Sequence, residues 1–219
     1  MSECFNPNLI FKDRNHAGEL LAEKLIECEL KEPFVIALPR GGIEIAVPIS
    51  KKLDGKLDII VSKKIGAPGN PELAIGAVTS HGDYVIAPYV ETELGDMKWD
   101  YLQKQIVYLV NDCKEREKKY LSGRDALPGR LYRGHDVIIV DDGIATGMTA
   151  MAAIKSIKKQ NPKNIILAVP VISDETYDEL SKHVDKIVTL KIPKEFVAVG
   201  VHYKEFNPVS DDVIIDTLK

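Results

Sequence analysis

The sequence is poor in cysteine and in long apolar runs and has no excess of positive charge, and each lack removes a class of protein. Cys4, Cys28 and Cys113 are the only cysteines in 219 residues. They are far apart, odd in number and without C-x-x-C spacing, which leaves neither a disulfide framework nor a cysteine zinc site. Reduced, mostly buried thiols are expected. No apolar stretch approaches the roughly 20 residues that span a bilayer, and the opening MSECFNPNLIFKDRNH has no apolar signal core. The expectation is a soluble, cytoplasmic protein without membrane partners. With 29 basic against 33 acidic residues the formal net charge is −4, so bulk electrostatics recruit no nucleic acid. A small-molecule substrate fits better. Two phosphate signatures are also missing, since no G-x-x-x-x-G-K-[ST] occurs and no G-x-G-x-x-G follows a strand.

What is present is apolar material for one α/β domain, 45% hydrophobic with 28% charged. Residues 13–30 place Ala17, Leu20, Leu21, Leu25 and Cys28 at three- and four-residue intervals, predicting an amphipathic helix. FVIAL (34–38) is a short continuous apolar run between prolines, as in a strand buried on both faces. A helix is expected over 43–53, although Pro48 inside it removes a backbone donor. LDIIVS (57–62) reads as a second strand, and residues 73–88 as two short strands about a turn near His81-Gly82-Asp83.

The spacing of Trp99, Leu102, Ile106, Leu109, Cys113 and Tyr120 predicts a long helix over 97–120, its stripe packed on the domain or on a second copy of the chain. Residues 122–135 form a Gly/Pro/Arg-rich loop. DVIIV (136–140) is then a buried strand, 149–160 a helix, NIILAVPV a strand, 174–182 a helix and KIVTL a strand. The alternation implies a parallel, doubly wound sheet in a single domain.

In such sheets ligands bind outside the carboxyl ends of strands, and DDGIATGMT (141–149) occupies such a place. Gly143 and Gly147 let the backbone turn closely around a group, Thr146 and Thr149 supply hydroxyls, and a following helix start offers unpaired N–H groups. Asp141 and Asp142 would repel a phosphate unless they address sugar hydroxyls, a cation or a developing positive charge. The bland alternative is a capped turn, with Thr149 capping the helix.

The pattern of four apolar residues, two acidic residues, Gly, two residues, then Thr-Gly-x-Thr closely resembles the phosphoribosyl pyrophosphate (PRPP) signature of the type I phosphoribosyltransferases. FKDRNHAGELLAEKL, ALPRGG and KKIGAPGNPELAIGAV look like an uncharacterised branch of that family, over nearly the whole chain. The resemblance implies one domain over 1–219 with a small hood from the chain ends, its C-terminal part near 191–219. It gives Asp141 and Asp142 to the ribose 2′ and 3′ hydroxyls, and Ala145, Thr146, Gly147, Met148 and Thr149 to the 5′-phosphate. Replacing either aspartate by asparagine is expected to leave the melt unchanged or slightly higher, by relieving repulsion.

ALPRGG resembles the family's pyrophosphate loop, with Arg40 supplying charge and Gly41 and Gly42 close backbone approach; a non-proline cis peptide is expected at Arg40-Gly41. Lys63 and Lys64, expected just past the second strand, would neutralise pyrophosphate and its Mg2+ or else be solvated strand-end lysines. The magnesium would be held by PRPP oxygens and water. Residues 66–72 are a lid or a plain hairpin connection. KEFVAVG resembles the purine hood, where Phe196 would stack on the acceptor, or else fill the core. The acidic residue that reads a purine edge in those enzymes is missing, so a hypoxanthine-guanine assignment is unsupported. His16 and His202 are candidate acid-base groups or structural histidines.

The resemblance thus implies a magnesium-dependent transferase moving 5-phosphoribose from PRPP to a nitrogenous acceptor, and the stripe of the 97–120 helix adds the expectation of a homodimer. The alternative is a non-catalytic PRPP sensor on the same fold.

Overall fold

The computed structural model describes residues 9–88, 90, 97–122 and 132–219; Cys4 and most of the loop expected over 122–135 lie outside the described residues. Helix α1 (Arg14–Ile26) begins where the Asp13 side chain accepts from the His16 backbone N–H, satisfying one donor that a helix start leaves open. Strand β1 (Phe34–Ala37), helix α2 (Gly42–Leu53) and strand β2 (Lys56–Ile59) follow. Pro48 is accommodated inside α2. Helix α1 crosses there at Gly18, where a Cβ would lie 2.5 Å from Pro48 Cγ and 2.6 Å from the Ile45 carbonyl. Only glycine permits that approach.

The central sheet has the order β2-β1-β6-β7-β8, with β6 (Asp136–Val140), β7 (Asn164–Val171) and β8 (Lys186–Lys191). Each pairing is parallel. Helices α4 (Met148–Lys158) and α5 (Asp174–Ser181) make the crossovers after β6 and β7. Strands β1 and β6 are buried throughout, and alternate residues feed opposite faces. Val35, Ala37, Ile138 and Val140 pack with Leu21, Leu25 and Ile45 on one side; Ile36, Val137 and Ile139 pack with Ala153, Ile154 and Ile157 on the other. The fold is the expected doubly wound α/β sheet.

The run 57–62 is not one strand. Ile60 N–H still bonds to Ala37 in the central sheet, whereas the Val61 carbonyl accepts from Ser80. The chain therefore changes sheets between Ile60 and Val61, and hydropathy is blind to the change because both residues are buried. Strands β3 (Ser62–Ala67), β4 (Asn70–Thr79) and β5 (Tyr84–Ile86) form a separate antiparallel sheet. Lys63 and Lys64 lie within β3, opposite Val78 and Ala77, in the antiparallel sheet rather than past the end of a central strand. Residues 66–72 span the end of β3, the two-residue turn Pro68-Gly69 with Gly69 at φ 76°, and the start of β4.

Helix α3 (Met97–Tyr120) buries Leu102, Cys113 and Tyr120 and packs Ile106 and Leu109. Trp99 was expected in that stripe and is instead 44% exposed. The helix is anchored nearby, where the Tyr101 hydroxyl donates to the Gly66 carbonyl at 2.9 Å. Burial pushes the Cys113 thiol up to about 11, as for an inert core cysteine. A 3-10 turn (Val199–His202) and helix α6 (Asp211–Leu218) complete the chain. The N-terminal segment meets the C-terminal one, with Phe11 N–H donating to His202 O at 2.9 Å and Lys204 N–H to Phe11 O at 2.8 Å. Among the described residues no helix is long and apolar enough to cross a membrane.

Candidate functional site

Three segments converge at the carboxyl end of the central sheet: the loop after β1, the acidic pair after β6, and the residues entering α4. Their closeness follows from β1 and β6 being neighbours in register, Ala37 beside Val140. Glycines let the loops touch. A Cβ on Gly42 would lie 2.6 Å from the Val140 carbonyl, and one on Gly41 would overlap Asp142 Oδ2. The cis peptide of this loop is Pro39-Arg40, one bond earlier than expected. Arg40 is exposed at the head of α2.

Asp141 and Asp142 differ sharply in their partners. Asp141 Oδ1 accepts from the Asp142 backbone N–H at 2.9 Å, a local turn contact. Burial, and then the Asp142 charge, raise the Asp141 carboxyl well above the usual aspartate range; Arg14 and Lys64 act the other way. Asp142 instead bonds across the fold, its Oδ2 accepting from Arg14 Nε at 2.8 Å. Burial raises Asp142 too, opposed first by the hydrogen bond and then by the charge of Arg14. The Asp142 carbonyl accepts from the Tyr203 hydroxyl at 2.5 Å. The C-terminal segment is thereby seated on the acidic pair, and Val199 fills the space over Gly143, where a Cβ would lie 2.6 Å from its Cγ1.

The loop into α4 is gripped from behind. The Ala145 carbonyl accepts from Ser173 Oγ at 2.8 Å and Thr176 Oγ1 at 2.5 Å, both at the start of α5. Ala145 and Thr146 are exposed. The residue at the helix cap is Gly147, at φ 71° and with no side-chain cap bond, so Thr149 lies inside the first turn. The bland reading of Thr149 as a cap therefore fails, while the Asp141 contact keeps a part of the turn reading. Gly147, Met148 and Thr149 head a helix whose first N–H groups have no intrahelical partner, a place suited to an anion.

Lys63 and Lys64 are consecutive in a strand, so their side chains leave on opposite faces. Lys63 forms an ion pair with Asp112 of α3. Lys64 is exposed, and its charge is felt at Asp141. Phe196 is half-buried, its ring tilted against His202 at 5.6 Å. His202 is 6% exposed, and burial, then Lys191, lower its pKa. His16 accepts from the Lys12 backbone through Nδ1 at 3.2 Å, a local contact near the start of α1.

Arg14, Ser173, Thr176 and Tyr203 were not singled out from sequence. Arg14 did leave a signal: a cation in the first turn of a helix sits at the unfavourable end of the macrodipole, which calls for a separate partner.

A family model described as the phosphoribosyl transferase domain matches residues 11–205. Over 209 residues the chain is 36% identical to a protein named "Putative phosphoribosyl transferase" in two strains of Mycobacterium tuberculosis, CDC 1551 / Oshkosh and H37Rv. The match takes in 94% of this chain and 46% of that protein, so the chain spans about half the length of these curated relatives. A crystal structure of a Thermus thermophilus protein superposes with a TM-score of 0.81 at 38% identity, covering 96% of this chain and 98% of the other.

Proposed function

The chain belongs to the phosphoribosyl transferase family, and from that premise we propose that it is a magnesium-dependent enzyme transferring 5-phosphoribose from PRPP to a nitrogenous acceptor, a nucleobase or related amine, with release of pyrophosphate. The observation that carries the reading is the meeting of three unlike surfaces at one sheet edge. A carboxylate pair lies between a glycine loop in contact with it and a helix start whose loop is fixed by Ser173 and Thr176.

Each surface has a distinct task in this reading. The 5′-phosphate sits on residues 145–149, where free N–H groups and the dipole of α4 meet its charge. Asp141 and Asp142 take the ribose hydroxyls. As the C1′–O bond to pyrophosphate breaks and the acceptor nitrogen closes on C1′, positive charge builds on the ring, and these carboxylates offset it. Arg40 and the backbone of Gly41 and Gly42 receive the pyrophosphate, with Lys64 beside them; Lys63 joins only by leaving Asp112. Phe196 lines the acceptor side. Among the described residues no three of His, Cys, Asp and Glu gather as a metal site. Magnesium would arrive on the pyrophosphate oxygens and neutralise the leaving group.

The whole chain acts as one domain in this reading, with residues 191–219 as its hood. Exposed Trp99 and Val107 on α3 offer apolar area to a second copy, supporting a homodimer. The test is a screen of nucleobases and amines with PRPP and magnesium, read by pyrophosphate release. Turnover with at least one acceptor is expected. PRPP binding without turnover across the screen would favour a sensor.

A further inference from the structure

We propose that Arg14 is a positioning residue that holds the Asp142 carboxylate for the ribose, so that the N-terminal helix is part of the donor site. This rests on the PRPP reading above. Arg14 is 6% exposed and its bonds join four parts of the fold. Nε donates to Asp142 Oδ2 at 2.8 Å; Nη1 donates to Glu44 Oε2 of α2 at 3.3 Å and to the Asn207 carbonyl at 2.8 Å. Its guanidinium lies 3.8 Å from the centre of the Phe206 ring, which in turn packs on Tyr203 at 5.1 Å.

Stability alone is a poor account of this arrangement. Burying an ion pair costs about as much in desolvation as the attraction returns, and apolar replacements are often neutral or better. The position in the first turn of α1 adds a further cost from the macrodipole. What the guanidinium supplies is geometry and charge at one atom. It occupies Oδ2, so a ribose hydroxyl would meet Oδ1, and it offsets the charge of Asp142 beside a ligand that brings phosphates. Glu44, Asn207 and Phe206 fix the guanidinium in turn, so Asp142 is braced from α2 and from the C-terminal segment together.

The test is a double-mutant cycle on PRPP·Mg affinity by calorimetry, with Arg14→Met, Asp142→Asn and both together. Arg14→Met should weaken binding about tenfold to a hundredfold, the range lost with one charge-assisted hydrogen bond. In the Asp142→Asn background the same change should cost less than about threefold, because the group it acts through is gone. Arg14→Lys, which keeps the charge, should recover part of the affinity and serves as the second arm if Arg14→Met does not fold. Equal losses in both backgrounds, or no rescue by lysine, would overturn the positioning role while leaving the PRPP site standing. Absence of PRPP binding to the wild type would overturn both.

Discussion

Gly41 lies so close to Asp142 that a methyl group on its α-carbon would overlap the carboxylate oxygen Oδ2. The glycine loop after β1 and the acidic pair after β6 therefore form one surface. Gly41→Ala should force the carboxylate aside, at a stability cost of about 1–3 kcal/mol for overpacking. PRPP affinity should fall at least about tenfold if a displaced Asp142 loses its ribose contact. Paired thermal melts and PRPP titrations check this, and unchanged affinity in a folded variant would separate the two loops.

The two aspartates should respond unequally to asparagine. Asp141 is raised by burial and by its neighbour's charge, so Asp141→Asn should raise the melting temperature at neutral pH. Burial raises Asp142 as well, but against the hydrogen bond and charge of Arg14, so Asp142→Asn should raise the melt less than Asp141→Asn, part of the relief being lost with the charged partner of Arg14. Thermal melts of both variants check this, and a larger gain for Asp142→Asn than for Asp141→Asn would show that Arg14 does not depend on it.

The pH dependence carries the same sign. An unfolded aspartate titrates near about 4, whereas folded Asp141 keeps its proton to higher pH. Between those values the folded state binds more protons, so this group lowers stability as pH rises. The advantage of Asp141→Asn should therefore be absent below the unfolded value and grow up to the folded one. Denaturant melts at acid and neutral pH measure it, and a constant difference would remove the titration from the explanation.

Much of the fold was legible because the buried strands and amphipathic helices carry their periods openly, as in FVIAL and DVIIV. The sheet change at Ile60-Val61 was hidden, since either sheet buries these residues. The β3 pairing of Lys63 and Lys64, and with it their opposite facing, was hidden because the strand that holds them begins only after that change. At the site, the motif located the acidic pair and the loop into α4. It was silent about Arg14, Ser173, Thr176 and Tyr203, which reach the motif only through tertiary contacts such as Tyr203 to the Asp142 carbonyl.

Association of two copies is expected to use α3. If Trp99 and Val107, 44% and 62% exposed, lie in a dimer contact, changing both to Glu should dissociate it while leaving the monomer melt nearly unchanged, since neither is in the core. Sedimentation at micromolar concentration decides this. A wild-type monomer there would remove the dimer.

The central claim is that PRPP occupies the edge formed by residues 40–42, 141–142 and 145–149, and the most direct measurement is a thermal melt with and without PRPP and magnesium. At about 100 times its dissociation constant PRPP should stabilise the wild type by about 2.7 kcal/mol. Ribose 5-phosphate should shift it less, and Asp141→Asn should lose much of the PRPP shift despite its more stable unliganded fold. No shift of the folded wild type with either ligand, or an equal PRPP shift in Asp141→Asn, would contradict the account.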